Sequence, residues 1–228
     1  MRQSLFEALR AVAPPTVRRY VRGVYGATVR FQIEAHLLSP MVRDIAPFSV
    51  RLMDASDPRE IASWLRIQRE GFGSELDPAV FDHIIRHHPT YDVRRTYFLL
   101  DHDEPVGAAS AAVFRKNPSI GYGHQAALLP HVRGKGLGLY LALFRYPSLV
   151  DDGLQRLEME STLFYRQAIK NHFRMGFRPK LQRDEWNLCD GARPEQRLLA
   201  NLMLESRYMD WRLRSGRVWF DSRDATPL

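Results

Sequence analysis

Apolar positions along this chain repeat with two periods, and the switches between them mark its elements. Leu5, Phe6, Leu9 and Val12 share a helical face over residues 2–12, and Pro14 and Pro15 stop that helix. Residues 16–38 carry both periods. Val17, Val21, Val24 and Thr28 follow a helix, whereas Val29, Phe31, Ile33 and Ala35 alternate like a strand. Our reading of the whole stretch is helix. FSVRLM, from Phe48, alternates as a strand. Asp57 then caps a helix with Pro58 at its first position. Ile61, Trp64, Leu65 and Gln68 form its stripe, which runs to about Glu70. A second Asp-Pro pair, Asp77-Pro78, opens a helix over DPAVFDHIIRHH.

TYFLL and PVGAASAAVF read as strands joined by the turn DHDE, and IGYGHQAALL reads as a third. LGLYLALFRYPSLV is a mostly buried helix, and LQRLEMEST alternates as a strand. YRQAIKNHFRMG is a helix ending on Gly176. DEWNLC gives a strand, Pro194 to Gly216 a long helix, and RVWF an edge strand. The order is β, α, α, three β, α, β, α, β, then an appended helix. That order implies an α/β fold with a mixed, mostly antiparallel sheet flanked by helices. Residues 1–47 form a basic, helical N-terminal extension, 48–190 the main domain, and 191–228 a C-terminal helix with its edge strand.

Composition narrows the setting. The 228 residues are 45% apolar and 26% charged, as in an ordinary globular protein. The one cysteine, Cys189, excludes an internal disulfide and a cysteine-rich metal site, which fits a reducing cytoplasm. No run approaches the roughly 20 apolar residues of a membrane span. The first residues lack the apolar core of a secretory signal, while their arginines and amphipathic pattern leave a mitochondrial presequence open. A net charge of +7 points to an anionic partner: nucleic acid, a membrane surface or a phosphorylated cofactor.

The decapeptide HVRGKGLGLY, residues 131–140, selects among them. It lies between a strand and a helix. The first turn of a helix leaves N–H groups unpaired and carries partial positive charge. Glycines let phosphate oxygens approach that backbone. Arg133 and Lys135 add full charges. A P-loop is excluded because Gly136, not Ser or Thr, follows Lys135. A dinucleotide fingerprint fits Gly134 and Gly136 but finds Leu139 where its third glycine belongs. Arg-x-x-Gly-x-Gly fits at Arg133, Gly136 and Gly138. A plain surface turn with incidental glycines is the simpler alternative.

With that motif the chain resembles the GCN5-related N-acetyltransferase (GNAT) superfamily over roughly residues 48–190. Arg133, Gly136 and Gly138 match its pyrophosphate-binding signature, and AIKNHFRMGF matches its later helix at Ala168, Gly176 and Phe177. The two motifs lie about 40 residues apart in the expected order. The resemblance implies transfer of an acetyl or longer acyl group from acyl-coenzyme A to an amine by direct attack, with no metal. It implies splayed strands with pantetheine along backbone groups near Leu128 and Leu129. It places the pyrophosphate over Arg133, Gly134, Lys135, Gly136, Leu137 and Gly138, and an oxyanion-stabilising N–H near Leu128. Two positions depart. His172 stands where the family often has a tyrosine, and Tyr165 where it often has an asparagine.

The chemistry needs a neutral amine, a stabilised oxyanion and a protonated leaving thiol. His172 is the candidate acid, with a place beside the cofactor. Its plainer reading is a histidine near a helix C-terminus. His124 is the first candidate base and Glu160 the second. Their plainer readings are a hydrogen-bonded strand residue and a solvated carboxylate. Cys189 reads as structural, and His83 with His87 as a solvated helix face. Lys170, Arg166 and Arg174 lie on a helix face within reach of a nucleotide phosphate, or are simply solvated. The implied partners are acyl-coenzyme A and an amine acceptor, with no obligatory nucleic acid. A homodimer face is one role open to the extensions. The alternative function is a non-catalytic module that uses the same fold and its basic surface on nucleic acid or an acidic partner.

Overall fold

The computed structural model describes residues 14–38, 45–73, 77–180 and 193–215. The helix expected over 2–12, the strand DEWNLC with Cys189, and the edge strand RVWF lie outside these residues. The elements in chain order begin with α1 (Pro15–Gly26), β1 (Val29–Glu34), β2 (Phe48–Leu52) and α2 (Pro58–Phe72). A short α3 (Ala79–Phe81) runs into a π-helical turn (Asp82–Arg86). Then come β3 (Tyr91–Asp101), β4 (Glu104–Phe114), β5 (Asn117–Leu128) and α4 (Leu137–Asp151). The series ends with β6 (Arg156–Ser161), α5 (Arg166–Arg174), β7 (Arg178–Lys180) and α6 (Pro194–Ser215). Among the described residues seven strands form one sheet in the order β2-β3-β4-β5-β6-β1-β7. The pairs from β2 to β5 are antiparallel, and β5 pairs with β6 in parallel. This is the α/β architecture expected, with helices against a mostly antiparallel sheet.

One expectation is corrected. Residues 16–38 are a helix only to Gly26, and the alternating Val29, Phe31 and Ile33 then form a strand. Each of those three apolar side chains is buried, so the period of two follows the burial.

The chain divides into two compact units, Gln32–Met159 and the combination of Met1–Phe31 with Glu160–Leu228. In Gln32–Met159, α2 starts where Asp57 accepts a hydrogen bond from the Arg59 N–H at 2.8 Å. It ends on Gly73 in a left-handed conformation at φ 69°. Trp64 and Ile67 of α2 are buried with Phe81, Ile85, Phe98, Leu99, Ala127 and Leu129 in the main core. β4 carries nothing larger than valine from Gly107 to Val113. That lack of bulk lets neighbours press close. A Cβ on Gly107 would lie 2.5 Å from the Leu128 side chain, and one on Gly71 would lie 2.6 Å from Ala127 Cβ. The C-terminal end of α2 is thereby seated on the end of β5. α4 then returns the chain from β5 to β6, burying Leu137, Leu141, Tyr146 and Leu149.

In the other unit, α5 buries Ile169, His172 and Phe173. Gly176 follows at φ 98°, and the Phe177 N–H donates to the His172 carbonyl at 2.9 Å. α6 buries Ala200, Leu204 and Tyr208, at i, i+4, i+8 spacing. Its Leu198, Leu202 and Met209 face outward at 50%, 53% and 47% exposure. They lie off the i, i+4 line of the buried face. Gln196 joins α6 to α1 by donating from Nε2 to the Tyr20 carbonyl at 3.0 Å.

Candidate functional site

The site is built on the far end of β5. Ala108 faces Ala127 and Ser110 faces His124, so two steps on β4 span three on β5. The extra residue makes a bulge. Gln125 sits in it at φ 43°, a left-handed conformation that costs a non-glycine residue about 1 kcal/mol. Gln68 of α2 braces the bulge, its buried Nε2 donating to the Gln125 carbonyl at 3.5 Å.

β5 and β6 separate at the same place. Their ladder runs from Ile120 opposite Arg156 to Gly123 opposite Met159 and ends there, while β5 continues to Leu128. The Leu129 N–H donates to Val106 of β4 at 2.8 Å, and the Leu129 carbonyl accepts from Val132 at 3.2 Å. Leu129 is therefore held by protein on both sides. Backbone groups alternate in direction along a strand, so the Leu128 N–H points to the edge that β6 has left.

Arg133 closes the corner. Its Nε and Nη2 donate to the Leu128 carbonyl at 3.1 and 3.0 Å, and Nη2 also donates to the Gly71 carbonyl at 2.9 Å. The guanidinium thus ties the end of β5 to the end of α2. The loop beyond it is exposed, with Gly134 and Gly136 both at φ 82°. Nothing lies within 4 Å of a Cβ built on Gly134. Gly136 is the N-cap of α4 and supplies no side-chain cap. The Leu137 and Gly138 N–H groups, the first two of α4, have no intrahelical partner, while the Leu139 N–H donates to the Gly136 carbonyl at 3.2 Å. Lys135 Nζ rests 5.4 Å from the Phe48 ring centroid. Leu137 is buried and anchors the helix under its exposed end. This arrangement fits a diphosphate: unpaired donors, a helix N-terminus and local positive charge.

On one face of the sheet, His88, Tyr91, Tyr122 and His124 form an aromatic group. Tyr91 stacks on Tyr122 at 4.1 Å and on His88 at 4.6 Å, and His88 meets His124 edge-on at 5.1 Å. Burial pulls the His124 pKa down to about 3, and the charges of His88 and Arg145 push the same way against a hydrogen bond with the Ile84 backbone. His124 is a neutral imidazole at pH 7. It orients a partner by hydrogen bonding more readily than it stores a proton. His88 Nδ1 accepts from the Thr90 and Tyr91 N–H groups at 3.2 and 3.1 Å, and burial lowers its pKa too.

Glu160 accepts from Arg30 Nε at 2.8 Å, so its carboxylate already faces a cation. Glu158, two residues earlier, is 1% exposed and pairs in register with Tyr122. Its Oε1 lies 3.4 Å from Arg156 Nε. Sequence reasoning passed over Glu158, although the alternation of RLEMES places it on the same side as Glu160. His172 is buried, with its ring 5.2 Å from Phe31 and 6.4 Å from Phe177. His83 lies with its ring 6.1 Å from His88. Among the described residues no group of three or more His, Cys, Asp or Glu has the spacing to hold a metal. Nor, among them, is any helix long and apolar enough to cross a membrane.

Comparison with known proteins gives this arrangement a relation. Residues 59–177, just over half of the chain, match the sequence model of the acetyltransferase (GNAT) family. A GCN5-related N-acetyltransferase from Sphaerobacter thermophilus is similar in structure, with 16% identity over 67% of this chain and 48% of that one, at a TM-score of 0.53. A Drosophila protein is similar at 14% identity over 68% and 48%, with a TM-score of 0.50. The chain spans about half the length of these two structures, and at such identities the likeness is one of fold. No curated protein matches the chain.

Proposed function

This chain belongs to the acetyltransferase (GNAT) family, and from that membership we propose that it moves an acyl group from acyl-coenzyme A to an amine. The observation that carries the reading is the bare loop at the start of α4. Gly134 and Gly136 hold φ 82°, no side chain caps the helix, and β5 has parted from β6 just before it.

In this reading the loop from Arg133 to Gly138 receives the pyrophosphate on its N–H groups. The pantetheine arm lies along the edge of β5 that β6 leaves. The Leu128 N–H donates to the carbonyl oxygen of the thioester as charge grows there. Leu129 and Arg133 hold that edge in place. The attacking amine has an ordinary pKa of about 10, so it must shed a proton before it reacts. His124, as a neutral imidazole, accepts a hydrogen bond from the amine. Glu158 joins Glu160 as a candidate for the negative charge that draws the proton away. His172 keeps the role of acid toward the leaving thiolate. The acceptor is a small-molecule, peptide or protein amine.

A second reading has one observation in its favour. Of the base candidates read from the sequence, His124 has lost basicity and Glu160 is paired with Arg30. A module that keeps the fold without the reaction would tolerate both. Thiol release from acetyl-coenzyme A, followed across a panel of amines, decides between them. Amine-dependent release supports the enzyme. Coenzyme A binding without release under any amine, together with salt-sensitive retention on nucleic acid, supports the module.

A further inference from the structure

Gln68 is an amide buried where its neighbours are apolar. It lies on the face of α2 that carries Trp64 and Ile67 into the core, and it is 1% exposed. Its Nε2 reaches the Gln125 carbonyl at 3.5 Å, and its Oε1 has no hydrogen-bond partner. Burying an amide half-satisfied costs stability that an apolar side chain of similar size would avoid. What the amide does, and an apolar group could not, is hold the bulge of β5.

That bulge decides which N–H groups face the edge that β6 has left. From Ala108 to Ser110, β4 advances two residues and keeps its hydrogen-bonding direction. From His124 to Ala127, β5 advances three and inverts it. The Leu129 N–H therefore turns to Val106, and the Leu128 N–H turns to the open edge. Had the pairing of Ser110 with His124 run on without the extra residue, Gly107 would face Ala127 in place of Leu128. The Leu128 N–H would then point into β4. Gln125, at φ 43°, is the residue on which the two registers divide. The last turns of α2 grip β5 on both sides of this choice. Gly71 presses on Ala127, and its carbonyl takes the Arg133 guanidinium that also holds the Leu128 carbonyl. Those contacts secure the far end of the stretch, and Gln68 secures the end where the register is set.

We propose that Gln68 is a positioning residue for acyl transfer: by holding the Gln125 carbonyl it fixes the bulge, and so keeps the Leu128 N–H directed at the thioester oxygen. The proposal rests on the acyl-transfer reading above. Gln68 touches no substrate and acts through the backbone from Gln125 to Leu128.

The test reads the thioester carbonyl. Binding of acetyl-coenzyme A is compared with that of S-ethyl-coenzyme A, which has a methylene in place of the carbonyl, in the full-length protein and in Gln68→Met. In the unsubstituted protein the carbonyl should tighten binding about five-fold, the worth of one neutral hydrogen bond. In Gln68→Met that margin should vanish while free coenzyme A binds as before. The infrared stretch of the bound, isotope-labelled carbonyl should move to higher frequency, since its hydrogen bond is lost. Turnover should fall roughly ten-fold, less than the roughly 100-fold of an oxyanion donor removed outright. A packing role alone moves the melting temperature and none of these, so a folded Gln68→Met with the parent margin and stretch overturns the proposal. Equal binding of thioester and thioether by the unsubstituted protein removes the Leu128 donor, and Gln68 with it, while coenzyme A binding stands. Failure of coenzyme A and acetyl-coenzyme A to bind sinks the acyl-transfer reading itself. One check needs no variant. The Gln68 side-chain amide protons should exchange with solvent more slowly than those of the exposed Gln167, and equal rates overturn the brace.

Discussion

Arg133 opens the Arg-x-x-Gly-x-Gly motif, yet its guanidinium is turned back onto the Leu128 and Gly71 carbonyls. A phosphate ligand and a brace make different predictions at this residue. As a brace it acts through the β5 edge, so it matters to any donor that lies along that edge. Arg133→Met should weaken acetyl-coenzyme A and acetyl-pantetheine by the same factor, about ten-fold, since one charge-assisted bond is worth about 1.5–3 kcal/mol and the side chain is exposed. Equal losses measured by competition binding support the brace. A loss confined to the donor with a diphosphate assigns Arg133 to the phosphates instead.

His124 gives a residue-scale prediction in pH. Its folded pKa of about 3 lies below the ordinary histidine value of 6.5. Between those values the unfolded chain takes up a proton that the folded chain refuses, so stability falls as pH drops from about 6.5 toward 3. The lowered pKa of His88 adds in the same direction. His124→Asn removes one such group. Its melting temperature should fall less than that of the parent between pH 7 and pH 5. An equal fall in both proteins would place the titrating group elsewhere.

At the scale of elements, period and punctuation in the sequence carried most of the outline. Asp57-Pro58 marked the start of α2, and Gly176 marked the stop after α5. The strands β3 to β5 followed from alternation and the turn at 101–104. Residues 16–38 misled because two true patterns adjoin there, a helix to Gly26 and a strand from Val29. The parting of β5 and β6 left no mark in either strand, since it is a property of pairing. The bulge at Gln125 was equally silent, because glutamine is not the residue that a left-handed position favours. Gln68 did leave a signal. It is the polar member of the stripe Ile61, Trp64, Leu65 and Gln68, and a buried amide needs a partner.

The glycine loop and α5 can each be tested as elements. Gly134 needs its φ of 82° but has open space around it. Gly134→Ala should therefore cost about 1 kcal/mol through conformation alone. Coenzyme A affinity should fall several-fold with it, as the loop drifts from the shape that presents its N–H groups. Binding as tight as in the parent would separate the loop from the cofactor. In α5 the buried ring of His172 lies against Phe31 and Phe177. His172→Phe keeps the aromatic packing and removes the proton. Loss of an acid of this kind lowers kcat by roughly 100-fold or more. Unchanged kcat in a folded variant assigns His172 to packing only.

For the whole molecule the net charge of +7 and the anion cradle draw on the same electrostatics but differ in range. Diffuse surface charge is screened over about 8 Å at physiological salt. N–H groups fixed at a helix N-terminus act at contact, where screening is weak. Binding of coenzyme A should therefore persist as salt rises, whereas binding of nucleic acid to the basic surface should fall steeply. A ligand at 100 times its Kd stabilises the folded state by about 2.7 kcal/mol. In a chain of this size that raises Tm by roughly 5–10 °C. The rise should appear with coenzyme A at both 50 mM and 300 mM salt. A rise that vanishes at the higher salt would mean that net charge, and not the bare backbone before α4, holds the ligand.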